Sequence, residues 1–366
     1  MNTTKSSNYG KLIAFFLIAS VLLCILGFAA EGWQQESPKE EINSTDDFLQ
    51  NNNPSNDIGT GGEAEEQPQA PIFINALTGL ETTPLISATR PVSFIVDSSS
   101  PIYGLSYADI LIEIPTERAS TRFMCLTSNY RAIGKIGSLA PTRGFMTNLA
   151  AYFGAILISS GTDDTVNYSS TNYSSYHFDI SKTSGYYYTE YSSLKYTNGA
   201  LIEAGIKNSG INSLVDSSFS LPFAFNSEIG ECTGALICST LTLPLSPDSQ
   251  TELVYSKESG KYALLKNGES RIDLLTDTSL EYDNAFVLFT DCMTYESSNG
   301  TELIMDTVTA GLGYYASGGT LQRIQWRVSD GKLAFYDDNG DILSASTGSS
   351  YISLIKSSKI ESVIFS

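Results

Sequence analysis

The chain is 366 residues long, 42% hydrophobic and 11% aromatic, with 21 Lys+Arg against 40 Asp+Glu and a formal net charge of −19. That balance excludes the phosphate-neutralising surface on which nucleic-acid binding rests. A single histidine and no Cys-x-x-Cys pair exclude an ordinary zinc centre. The apolar content supplies packed cores, and an acidic exterior suits cations, sugars, peptides or protein partners. No metal site and no cofactor site is legible.

Residues 12–30, LIAFFLIASVLLCILGFAA, carry no charge. As a helix they would be roughly 28 Å long, close to the hydrocarbon thickness of a bilayer, about 30 Å. Lys5 and Lys11 precede the run, and Glu31, Glu36, Glu40 and Glu41 follow it. This asymmetry predicts an inside N-terminus and an extracytoplasmic body at the cell membrane. Three readings stay open: an uncleaved transmembrane anchor, a signal peptide cleaved after Gly27-Phe28-Ala29, or lipid attachment at Cys24, where Leu22-Leu23 stand in place of the small residues a lipoprotein site prefers. Residues 31–71 are rich in Asn, Gln, Glu, Gly and Pro, and residues 31–70 hold ten acids and one base, Lys39. They predict a disordered acidic linker.

From residue 72 the pattern becomes periodic. Residues 92–97 (VSFIVD), 110–115 (ILIEIP), 122–127 (RFMCLT) and 155–160 (AILISS) read as strands. Thr142 is a predicted cap for a helix through Phe153, in which Phe145, Leu149 and Phe153 recur at one face. A second helix is expected over 192–207, stopped by Asn208-Ser209-Gly210. Residues 72–228 thus predict a mixed α/β domain. Residues 229–366 read differently, with runs at 253–255, 262–265, 285–290, 313–316, 322–328, 332–336 and 351–355. The turn pairs Ser259-Gly260, Asn267-Gly268, Asp330-Gly331 and Asn339-Gly340 separate several of them. That spacing predicts a smaller antiparallel β-rich domain, and the class as a whole is α+β.

The candidate site residues are charged or tyrosine-rich. Glu113 and Glu117 form a carboxylate pair of the kind that serves glycoside hydrolysis, and Arg122 and Arg143 are of the type that clamps an anion. An ion-pair network closing the strand ends is the plainer alternative. Asp163 and Asp164 follow a strand at the end where α/β sheets bind ligands, without calcium-loop spacing. Residues 167–193, NYSSTNYSSYHFDISKTSGYYYTEYSS, hold seven tyrosines, Tyr173, Tyr176, Tyr187 and Tyr188 among them, in a Ser/Asn/Gly background. Such a surface suits sugar rings or a peptide. His177, the one histidine, lies there and reads as a packed ring. Cys125 reads as a buried thiol, and Cys232 and Cys238 are close enough in sequence to close a small disulfide loop.

The order NALTGL (75–80), RPVSFIVDSSSPIYGLSYADILIE (90–113), TRFMCL (121–126) and IGSLAPTRGFMTNLAAYFGAILISSG (136–161) resembles the YerB-like family of bacterial lipoproteins. LPFAFNSE (221–228) is similar to the segment closing that family's N-terminal domain. SGKYALLKNG and the late SYISLI (350–355) are similar to its C-terminal domain. The resemblance implies a surface-tethered, two-domain protein and no particular reaction. Polar positions of the family pattern fall on Asp97, Glu113, Glu117, Thr121, Arg122 and Arg143. The chain departs from the pattern at Ala140, where the family has an arginine, and lacks family histidines near 157–161 and 187–191. These losses favour recognition of a cell-wall glycan, peptide or envelope protein over catalysis; a hydrolase using Glu113 and Glu117 is the rival.

Overall fold

The computed structural model describes residues 71–99, 101–117, 120–163, 165–166, 173–191, 193–226, 235–297 and 300–366. The apolar run 12–30 with Cys24, the acidic linker, Asp164, residues 167–172 of the tyrosine-rich stretch and Cys232 lie outside the described residues, so the anchor and the Cys232–Cys238 pairing do too. Among the described residues no helix is long and apolar enough to cross a membrane. Gln69–Ser366 forms one compact unit, and it is mostly β.

Its centre is an 11-stranded sheet. In chain order its strands are β1 (Val92–Asp97), β2 (Ile110–Pro115), β3 (Thr121–Thr127), β4 (Ile156–Ser159), β5 (His177–Asp179), β6 (Leu236–Ile237), β7 (Asn284–Thr290), β8 (Ala310–Ser317), β9 (Thr320–Ser329), β10 (Lys332–Tyr336) and β11 (Ser350–Lys356). Their spatial order is β6-β9-β8-β7-β11-β2-β3-β1-β4-β5, with β10 also on β9. The meander β7-β8-β9-β10 is antiparallel, as its turns predict. At the Asp330-Gly331 turn both residues have positive φ, the twist a two-residue hairpin needs.

The antiparallel expectation fails at β11. This late strand lies parallel to both β7 and β2, pairing Ser353 with Val287 and with Glu113. One sheet therefore runs through both sequence segments. A strand such as β11, buried along nearly its whole length, reads as a continuous apolar run, and that run carries no sign of its partners.

Each face of the sheet has its own core. Side chains alternate between faces along a strand, so Val92, Phe94, Val96, Leu111, Phe123 and Cys125 face one way. They meet helix Gly199–Asn208 through Ile202 and Ile206, and a 6-stranded sheet through Leu241, Leu253, Leu264 and Tyr282. Ile95, Ile112, Ile114, Met124 and Leu126 face the other way, against helix Gly144–Tyr152 through Phe145, Met146 and Leu149. A hairpin, Cys292–Ser297 with Gly300–Met305, joins that side through Leu303 and Met305.

Two helix starts differ from expectation. Helix Gly144–Tyr152 begins past Thr142, because Thr142 is drawn into a bridge with Thr162. The hydroxyl of Thr165 accepts from Gly144 N instead, at 3.1 Å. The expected helix at 192–207 is strand Leu194–Thr197, paired with Tyr188–Glu190, followed by the helix proper. Asn198 sets that boundary by accepting from Leu201 N at 2.9 Å.

Candidate functional site

Strand ends and one helix start build an acid-rich cleft of about 340 Å³, lined by Asp97, Glu117, Thr121, Arg122, Arg143, Asp163 and Glu302 among others. Asp97 at the end of β1 stands opposite Arg122 on β3. Arg143 precedes the first turn of helix Gly144–Tyr152 and is 3% exposed. Its guanidinium donates to Glu117 Oε1 at 2.7 Å and to Asp163 Oδ2 at 2.9 Å, with Glu302 Oε2 at 3.5 Å. Asp163 is held in turn by Thr165, whose amide and hydroxyl donate to Oδ1 at 3.0 and 2.6 Å.

Arg122 is half-buried and donates one N–H to the Pro141 carbonyl at 2.9 Å. Burial pulls its pKa below the usual arginine value, the neighbouring Arg143 adds to this, and Glu117, Asp163 and Asp97 oppose it. The two arginines do not form an anion clamp, because the Arg143 fork is taken by carboxylates. Asp97, Glu117, Asp163 and Glu302 against two arginines leave the cleft a formal charge of −2, from four acids and two bases.

Glu113 lies elsewhere. It is 1% exposed and shares the side of β2 that carries Leu111. Oε1 accepts from Thr121 Oγ1 and Oε2 from Tyr351 Oη, each at 2.6 Å, and Lys266 Nζ is 3.9 Å away. Burial, then the Glu113 charge, holds the Tyr351 phenol well above its ordinary pKa, so the phenol remains a donor. Glu113 is thus engaged by Thr121 and Tyr351, while Glu117, past the end of β2, is engaged by Arg143. The paired-carboxylate arrangement of a glycosidase needs both acids flanking one bond, and this geometry does not supply it. Thr121, though it lines the cleft, gives its hydroxyl to Glu113.

The tyrosines divide as well. Tyr176 lies under the guanidinium of Arg90, 4.4 Å from ring to Cζ. Tyr188 stacks on Tyr196 at 6.2 Å, and Lys195 Nζ sits 5.0 Å from the Tyr187 ring. Tyr173 opens a short 3-10 turn. Lys135 Nζ lies 3.9 Å from Tyr103 and 4.4 Å from Tyr196, the ring on which Tyr188 stacks, and pairs with Glu190 at 2.6 Å.

His177 Nε2 and Ser159 Oγ are 2.8 Å apart. Ser159 also donates to the Gly161 carbonyl at 2.8 Å. The Gly161 carbonyl thus competes with Nε2 for the one serine proton, which a nucleophilic serine must give to its base. Burial lowers the His177 pKa to about 4. Cys125 is fully buried, and burial pushes its thiol well above the usual range.

Sequence reading missed Glu302, which reaches the cleft from a hairpin far along the chain, and Tyr351, the partner of Glu113. It also missed Asp273, fully buried, which accepts from Gly104 N, Ser106 N and Ser106 Oγ at 2.6–2.8 Å. No local pattern marks these residues, since each acts on a partner more than a hundred positions away.

Fold and site together define a mostly β body built from two sequence segments on one sheet, with an acid-rich cleft at the strand ends. Residues 77–212 match the N-terminal domain, and residues 241–352 the C-terminal domain, of the protein family of unknown function DUF3048. The chain belongs to this YerB-like family. Its fold is similar to the crystal structure of the YerB protein from Bacillus subtilis, with a TM-score of 0.69 and 18% identity over 80% of this chain and 99% of that one. No curated protein matches.

Proposed function

We propose that this chain is a non-catalytic recognition protein of the cell envelope, tethered through its N-terminal apolar run and acting outside the membrane. The ligand is a wall glycan, a peptide or a partner protein that carries amine or hydroxyl groups into the acid-rich cleft. One observation carries this reading: the cleft's charges are paired for binding, with Arg143 held among Glu117, Asp163 and Glu302. Meanwhile the groups that chemistry would need are engaged elsewhere, Glu113 by Thr121 and Tyr351 and Ser159 by Gly161. The uncharged run 12–30 and its flanking charges support the location.

The test uses the compact unit Gln69–Ser366 and purified wall fragments. We expect saturable retention of fragments with no new reducing ends or free amines released. Glu117→Gln weakens retention no more than about tenfold. Product release that Glu117→Gln abolishes would instead establish the hydrolase.

A further inference from the structure

An apolar groove of about 530 Å³ adjoins the acid-rich cleft. Phe145, Met293, Ile304, Met305 and Val308 line it, and the carboxylates Asp291 and Asp306 are part of the same lining. Met293 is 64% exposed and Val308 53%, large side chains that a free surface seldom gathers. The two cavities share their walls. The start of helix Gly144–Tyr152 gives Arg143 to the cleft and Gly144 and Phe145 to the groove; strand Gly300–Met305 gives Thr301 and Glu302 to one and Ile304 and Met305 to the other. Between them runs the loop that holds Asp163, in the cleft, and Thr165, in the groove.

We infer that this double cavity docks an extended peptide in which a lysine or arginine is followed two positions on by an apolar residue, the cation entering the cleft and the apolar side chain the groove. The inference rests on the recognition reading and narrows its ligand. Charge complementarity selects the occupant: the cleft is formally −2 beside an apolar surface, which repels an anionic chain and leaves a plain glycan with nothing to fill the groove. Side chains two positions apart in an extended chain point the same way, about 6.6 Å from each other, so one side chain of each type faces one cavity of each type.

The probe is the acetylated, amidated hexapeptide Ser-Lys-Ser-Leu-Ser-Ser titrated into the unit Gln69–Ser366, beside the same peptide with Glu in place of Lys and the same peptide with Ser in place of Leu. Saturable one-to-one binding of the first peptide alone is expected. The exposed double change Met293→Ser, Val308→Ser and, separately, Glu302→Gln each weaken it by about tenfold or more, and salt weakens it further. Far-UV dichroism and the melting temperature report whether each variant keeps its fold. Equal binding of all three peptides overturns the inference, as does unchanged affinity in folded variants. It also falls if the groove changes alter self-association in sedimentation and not peptide binding, which would make a second copy the occupant. If no peptide binds while wall fragments are still retained, this inference fails and the wider recognition reading stands.

Discussion

Burial holds the His177 imidazole at a pKa of about 4, with Asp179 opposing the shift and Lys182 adding to it. In an unfolded chain the ring titrates near ~6.5. Between those values the unfolded state carries the extra proton, so stability is complete above about pH 6.5 and falls as the pH drops toward about 4. The span corresponds to on the order of 3 kcal/mol. His177→Gln keeps a side-chain partner for Ser159 and removes this proton. Its melting temperature should therefore fall less between pH 7 and pH 4.5 than that of the unaltered protein. An equal fall in both would assign the acid sensitivity to carboxylates instead.

At the scale of elements, the start of helix Gly144–Tyr152 organises both cavities. A Cβ added at Gly144 would meet the Thr165 carbonyl oxygen at 2.0 Å. The loop that carries Asp163 must then move away from Arg143. Gly144→Ala should cost about 1–3 kcal/mol in denaturant unfolding and loosen binding in the cleft. Gly134→Ala is the control: its nearest contact would be Leu275 at 4.0 Å, and its stability should stay within about 0.5 kcal/mol. If both alanines behave alike, the close approach at the helix start is not what sets the cleft.

At the scale of the whole molecule, the late strand β11 sits between β7 and β2, and Asp273 binds the loop at Gly104 and Ser106. Both features join residues from one family segment to residues from the other. Unfolding should therefore be a single transition, with Trp326 fluorescence and far-UV dichroism coinciding. Asp273→Ala leaves buried N–H groups unpaired and should lower stability by on the order of 3 kcal/mol, while keeping that coincidence. Separate transitions by the two probes would mean that the segments fold as independent units.

Strands with local signatures were legible. Val92–Asp97, Ile110–Pro115 and Lys332–Tyr336 show in the sequence as short β-branched or aromatic runs between turn residues, because period and turn chemistry act within a few positions. Helix starts were less so, since Thr165 caps from beyond the helix it caps. Of the charged candidates, Asp97, Glu117, Arg122 and Arg143 do share a cleft, while Glu113 leaves it. A strand tells which residues alternate and not which face will be covered by a second sheet.

By itself the sequence determined the family likeness, the β-rich character of residues 229–366 and the side chains available for chemistry, since these follow from composition and short-range order; that the body as a whole is mostly β, rather than the expected α+β, came from the structure. Tertiary structure decided which acids meet which arginine, which cavity lies beside which, and that both segments close on one sheet. Those outcomes depend on contacts between residues such as Arg143 and Glu302 or Glu113 and Tyr351, whose energies exist only once distant parts of the chain are brought together.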